Sequence, residues 1–168
     1  MKVGLRVLGI DPGTGATGYG VVDSDASGYR LVECGVVRTA RGEPLPQRLA
    51  AIHEGILAVI ERHRPDCLAV EGVFYRKNAR TAVILAHSRS AAILAGALRG
   101  IPVCEYPPAE VKNSVVGTGR ATKHQVGFMV GKLLGLADVP RPSDAADGCA
   151  VALCHLIVGS GPLARAAL

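Results

Sequence analysis

Apolar positions along the chain alternate between short buried runs and segments of helical period. Residues 3–10 (VGLRVLGI) read as a buried strand, and 17–23 (TGYGVVD) and 29–38 (YRLVECGVVR) as two more, separated by the hairpin signal SDASG. The links among these three are too short for crossover helices, which predicts an antiparallel meander. From about 47 to 63, Leu49, Ile52, Ile56, Val59 and Ile60 share one helical stripe that ends before Pro65. CLAVE (67–71) is then a fourth strand, parallel to the first because a helix intervenes. A helix at roughly 78–99 follows, then a fifth strand, IPVCEY (101–106), and helices near 109–115 and 122–135. The last helix begins at Ser143, a favourable N-cap residue, and runs to about Val158. The pattern predicts one α/β domain over 1–158, a five-stranded mixed sheet flanked by helices with β4 and β5 parallel to β1, and a flexible tail over 159–168.

Composition narrows the class. A chain of 168 residues, 49% apolar and 20% charged, is long enough to bury a core and too apolar to stay disordered. Charges at positions 2, 6 and 11 leave no apolar stretch for a signal peptide, and no apolar window approaches the roughly 20 residues of a membrane span. A cytoplasmic protein without membrane contact is expected. The cysteines, Cys34, Cys67, Cys104, Cys149 and Cys154, stand singly without zinc-type spacing and read as small buried hydrophobes. The adjacent pair Cys154–His155 lacks further ligands at suitable spacing.

Candidate chemistry gathers on four acids. Asp11 follows the first strand inside the glycine-rich GIDPGTGATGYG, and Glu71 ends the fourth. If those strands are parallel neighbours, both carboxylates emerge at the sheet edge where ligands of open α/β sheets bind. Asp144 and Asp147, three apart at a helix start, share one helical face. Such a group requires neutralisation, and Mg²⁺, with Mn²⁺ as a substitute, suits carboxylate ligands; a pair of ions would serve phosphodiester hydrolysis by an activated water. Removing four negative charges from a net +5 leaves +9 on the rest of the chain, a body suited to a polyanion. The glycines either cradle a nucleotide phosphate or clear space around Asp11 for metal and substrate.

Phe74 and Tyr75 sit among Arg76, Lys77 and Arg80, an arrangement that fits base stacking beside phosphate contacts. Lys112 and Lys123 flank the loop GTGR with Arg120, whose backbone N–H groups at 117–119 could line a phosphate track. The small residues Ala82, Ala86, Ser90 and Ala97, with His87 and Arg89, mark either a dimer face or packing onto the chain's own sheet.

Four motifs in order, GIDPGTGATGYGVV, AVEGVFYRKNA, VKNSVVGTGRATKHQV and SDAADGCAVA, resemble the RuvC family of Holliday-junction resolvases over about residues 5–158. The resemblance implies an RNase H-like fold, a homodimer, and Mg²⁺- or Mn²⁺-dependent paired nicking of four-way DNA junctions. It also implies cooperation with the RuvA–RuvB branch-migration complex. Carried over by motif, Asp11, Glu71, Asp144 and Asp147 match the catalytic, metal-binding acids. The family also carries histidine at the position of Asp144, so either member of the last pair stands as the closer ligand. Phe74, Lys112 and Lys123 match DNA contacts. The glycine-rich opening also resembles the first phosphate loop of actin-like ATPases and sugar kinases, which need a second lobe. A binding module that does not cut, or a related nuclease acting on RNA, are the other readings.

Overall fold

A computed structural model describes residues 4–72 and 78–159. Three strands, β1 (Leu5–Asp11), β2 (Ala16–Asp25) and β3 (Gly28–Arg38), form the expected meander. Helix α1 (Leu45–His63) carries the chain over to β4 (Cys67–Glu71), which lies parallel to β1, and α2 (Ala79–Ala97) leads to β5 (Val103–Tyr106), parallel to β4. Helices α3 (Pro108–Val116), α4 (Lys123–Leu133) and α5 (Ser143–Val158) complete the chain. The sheet order is β3-β2-β1-β4-β5, the five-stranded mixed sheet read from the sequence.

The sheet separates two apolar layers. On one side Ile52, Ile56, Val59 and Ile60 of α1 and Ala92 and Ala95 of α2 meet Leu8, Ile10, Val21, Leu68 and Val70. Each large side chain buried there contributes about 1.5–3 kcal/mol of transfer free energy. On the other side α5 lies against Val7, Val22 and Ala69 and is itself flanked by α3 and α4. Because α5 is covered on both sides, its positions 145–146 and 148–154 are buried all round, which explains the continuous apolar run AVALC.

Close approach of α5 to the sheet depends on glycine. A Cβ on Gly18 would lie 1.8 Å from the Asp144 carbonyl oxygen, and one on Gly148 about 2.5 Å from the Tyr19 backbone. The glycines of the opening motif thus divide by role. Those on β2 admit the helix rather than clearing room for substrate, and the Gly13 N–H is taken by Thr17 Oγ1 at 3.3 Å rather than left for a phosphate.

The start of α5 corrects one expectation. Ser143 is already helical; the cap position belongs to Pro142, which is extended (φ −67°, ψ 172°) and has no side chain able to cap the first turn. The predicted tail at 159–168 lies, from residue 160 on, outside the described residues.

Candidate active site

The parallel register of β1 and β4 pairs Ile10 with Val70, so the next residue on each strand, Asp11 and Glu71, stands level at the carboxyl edge. The two acids share a hydrogen bond. Asp147 faces them from the first turns of α5, and the three line a hollow of about 310 Å³ with Lys112, Lys123, Val111, Val126, Pro108 and Ala150. Asp144, one turn earlier, does not line it; its side chain is 35% exposed against 22% for Asp147. The geometry therefore brings Asp147, of the two, into the group with Asp11 and Glu71.

Electrostatics in this hollow are unbalanced. Burial first, then the charges of Glu71 and Asp147, pushes the Asp11 carboxyl up to about 8, with Lys123 opposing. Burial likewise raises Asp147, against the pull of its hydrogen bond from Lys123. Lys123 Nζ lies 2.7 Å from Asp147 Oδ2 and 3.5 Å from Asp144 Oδ1, and that hydrogen bond to Asp147 raises the lysine in turn. As the first residue of α4, Lys123 puts its cation at the positive end of a helix dipole, which is unfavourable there in isolation. A capping box between Thr122 and Gln125 fixes that helix start and so holds the lysine against the acids.

Donor chemistry fits a hard divalent cation: carboxylate oxygens crowded enough to retain a proton, with an ammonium group already bridging two of them. Asp11, Glu71 and Asp147 would hold such ions, with Asp144 at the margin.

The other candidates fall on several sides of this hollow. Lys112 lines it. Lys123 points into the acids rather than out toward a phosphate track. In the GTGR loop Gly117 takes a left-handed conformation (φ 89°) and its N–H closes α3 on the Asn113 carbonyl, so that amide is not free for phosphate, while the Arg120 N–H donates to Thr118 Oγ1. Arg120 and Arg80 are exposed, the latter in the first turn of α2. Phe74, Tyr75, Arg76 and Lys77 lie outside the described residues. A second hollow of about 500 Å³ adjoins Lys123 and Asp147 and adds the Arg141 cation to the site's surroundings, with His124 also on its wall.

Against known proteins, the model of the crossover junction endodeoxyribonuclease RuvC family matches residues 7–155. The chain belongs to the RuvC family. Among RuvC relatives, that of Frankia alni is 55% identical over 153 residues, covering 90% of this chain and 78% of the relative. That of Desulforamulus reducens is 48% identical over 151 residues, covering 90% and 93%. The Thermus thermophilus RuvC solved in complex with a Holliday junction substrate superposes with a TM-score of 0.86 at 38% identity, covering 92% of this chain and 94% of that one. The yeast mitochondrial Holliday junction resolvase shares the fold, with a TM-score of 0.64 at 16% identity. The sheet is thus the RNase H-like sheet of RuvC, and this is a family of metal-dependent endonucleases.

Proposed function

We propose that this chain resolves four-way DNA junctions, with the hollow between β1, β4 and α5 as the hydrolytic site. One observation carries the reading: Asp11 and Glu71 stand level on adjacent parallel strands with Asp147 opposite and a cation among them. Two Mg²⁺ ions, or Mn²⁺ in their place, would be held by Asp11, Glu71 and Asp147 with Asp144 in support. When bound, they supply an activated water and charge stabilisation at the leaving oxygen of the phosphodiester, giving 5′-phosphate ends.

The chain's own residues do the rest. Asp11, which burial and the neighbouring acids hold toward its protonated form, would offer its carboxylate beside Glu71 as a ligand to the cation. Lys123 is a stand-in charge between the aspartates and swings to a DNA phosphate once they are otherwise neutralised. Lys112 in the same hollow, with Arg141 in the adjoining one, extends a positive path away from the site, and His124 beside Arg141 adds a hydrogen-bonding ring. Val111, Val126 and Ala150 form an apolar floor that limits water around the acids and strengthens each of these interactions. Arg80 and Arg120, together with Phe74, Tyr75, Arg76 and Lys77, complete the DNA contacts in this reading.

Paired nicks call for two sites related by a two-fold axis. Helix α2 and its C-terminal cap offer the surface: Val83, Leu94 and the cap residue Leu98 are 56%, 50% and 67% exposed, on the side where Ala86, Ser90 and Ala97 are also exposed. Ser88, Ala92, Ala95 and Gly96 pack inward instead. An isologous dimer through the outward stripe is our reading, and Leu94→Glu should shift sedimentation from dimer to monomer. The RuvA–RuvB complex is the partner that the family resemblance adds.

The test is a cleavage assay on a labelled four-way junction beside a linear duplex of the same sequence, with Mg²⁺, Mn²⁺ or EDTA and Asp11→Asn as control. Symmetric nicks on the junction alone, dependent on metal and on Asp11, are expected. Binding without cutting under every metal would overturn the reading.

A further inference from the structure

Away from the carboxylates the fold assembles a second group of ligand atoms. Cys67 at the start of β4, Cys104 on β5 and His155 on α5 place one ligand atom each within 4.8 Å of one another. Among the described residues this is the one group of three or more His, Cys, Asp or Glu side chains so close together. Four residues along β4 separate it from Glu71, about 13 Å at ~3.3 Å per residue.

Its geometry favours coordination over a disulfide. Ala69, not Cys67, is the register partner of Cys104. The two cysteines are therefore offset by two residues along the strands as well as by one strand spacing, roughly 8 Å between Cα atoms. A disulfide needs less than about 7 Å. Their Sγ atoms nevertheless approach to 3.9 Å. Two thiolates on one tetrahedral zinc, at about 2.3 Å each, lie roughly 3.8 Å apart. His155 is prepared in the same sense: its Nδ1 is hydrogen-bonded to the Tyr106 hydroxyl at 2.8 Å, the rings meeting edge to face at 74°. That bond engages Nδ1, so in such a site Nε2 would be the ligand and the tyrosine hydroxyl would take the place of the outer hydrogen-bond partner that orients a metal-bound imidazole.

We propose that Cys67, Cys104 and His155 form a binding site for a thiophilic divalent cation such as zinc, distinct from the hard-metal site of the carboxylates. On binding, each thiol releases its proton to solvent as its sulfur takes the metal, and water fills the fourth position. Access is from the β5 side, since β5 is an edge strand and Cys104 and His155 are only partly buried. The site ties β4, β5 and α5 together. Two of these carry Glu71 and Asp147, and Tyr106, which bonds His155, is the register partner of Glu71. A bound ion thus braces the elements that position the acids.

The test uses Co²⁺ as a spectroscopic substitute for zinc on the reduced full chain, because thiolate ligation gives charge-transfer absorption that carboxylate ligation does not. One equivalent should develop this band, zinc should bleach it, and Cys104→Ser, at a half-buried position that tolerates the change, should lose it. Cys34→Ser, which alters the separate Cys34–Cys149 contact between β3 and α5, should keep it. No band, or a band lost in Cys34→Ser and kept in Cys104→Ser, would overturn the proposal. The readout needs no DNA and no cleavage, so its failure and that of the junction reading are distinguishable. If Cys104→Ser fails to fold, a chain with its cysteines intact still decides: bound zinc should raise the melting temperature of the Asp11→Asn variant, and no rise would overturn the site.

Discussion

Asp11 and Asp23 sit at opposite ends of the paired strands β1 and β2 and meet opposite surroundings. Asp23 takes the Arg6 guanidinium with both oxygens, at 2.7 and 2.9 Å, and Arg30 at 2.6 Å; the hydrogen bond from Arg6 is the main cause holding it below its usual range. Asp66 joins them by accepting the Arg6 backbone N–H. Asp11 is surrounded by more acids than cations and is pushed up. The hollow beside Asp23, about 370 Å³, is larger than the 310 Å³ beside Asp11. Size does not pick out the working end of this sheet. Acids gathered in excess of cations do, because a protein retains such a cost where a cation or substrate will relieve it.

The sharpest way to break this contrast is to neutralise each acid. Asp11→Asn should lower cleavage about a thousandfold, equivalent to ~4 kcal/mol of transition-state stabilisation, while junction binding holds or improves because repulsion of phosphate falls. Asp23→Asn should leave the cleavage rate unchanged. Parallel cleavage and gel-shift assays compare the two.

Next in size is Gly18→Ala, which drives a methyl group into the Asp144 carbonyl. Overpacking of this kind costs about 1–3 kcal/mol or more, read as a lower urea midpoint with loss of activity in the fraction still folded. An alanine at the open position Gly15 should leave the midpoint near wild type.

The pH response should have opposite signs at the two ends. Asp23, lowered from 3.8, contributes stability that is present above that value and lost as pH falls through its folded pKa. Asp11, raised from 3.8 to about 8, binds a proton in the folded state that the unfolded chain has released. Its contribution is fully present below about 3.8 and lost as pH rises through about 8. Urea titrations in EDTA should therefore show an acid arm removed by Asp23→Asn and a decline from about pH 3.8 to about 8 removed by Asp11→Asn. Saturating Mg²⁺ should flatten that decline in the wild type as well.

The smallest effect belongs to Lys123→Ala. Loss of one phosphate contact should reduce the slope of log affinity against log salt by about 1. An unchanged slope would mean that Lys123 stays with the aspartates when DNA is bound.

Much of this was legible in the sequence because it is local. Apolar alternation and turn residues mark the meander, one stripe of isoleucine and valine marks α1, and acids ending buried runs mark Asp11 and Glu71. What was not legible is long-range. Nothing near Lys123 shows that its amine meets Asp147 rather than a phosphate, although a lysine directly after a capping threonine is a signal, since a cation there needs a nearby anion. Cys67, Cys104 and His155 stand far apart along the chain and lack any spacing rule, so only the register of β4 with β5 and the packing of α5 unite them. The glycines of β2 looked like room for substrate because the helix that needs them lies more than a hundred residues later.

The seam where Gly18 and Gly148 let α5 touch the sheet also bears on how this enzyme can change. A ligand carried on a surface loop can drift, and new geometries can be sampled while the fold survives. Asp147 has no such freedom. Its position is set by backbone-to-backbone contact in the core, so a substitution that moves it also unpacks the helix that bears it. Variation in substrate choice must therefore come from the periphery, from residues such as Lys112, Arg120 and His124, around an acid cluster that either stays in place or is lost with the fold.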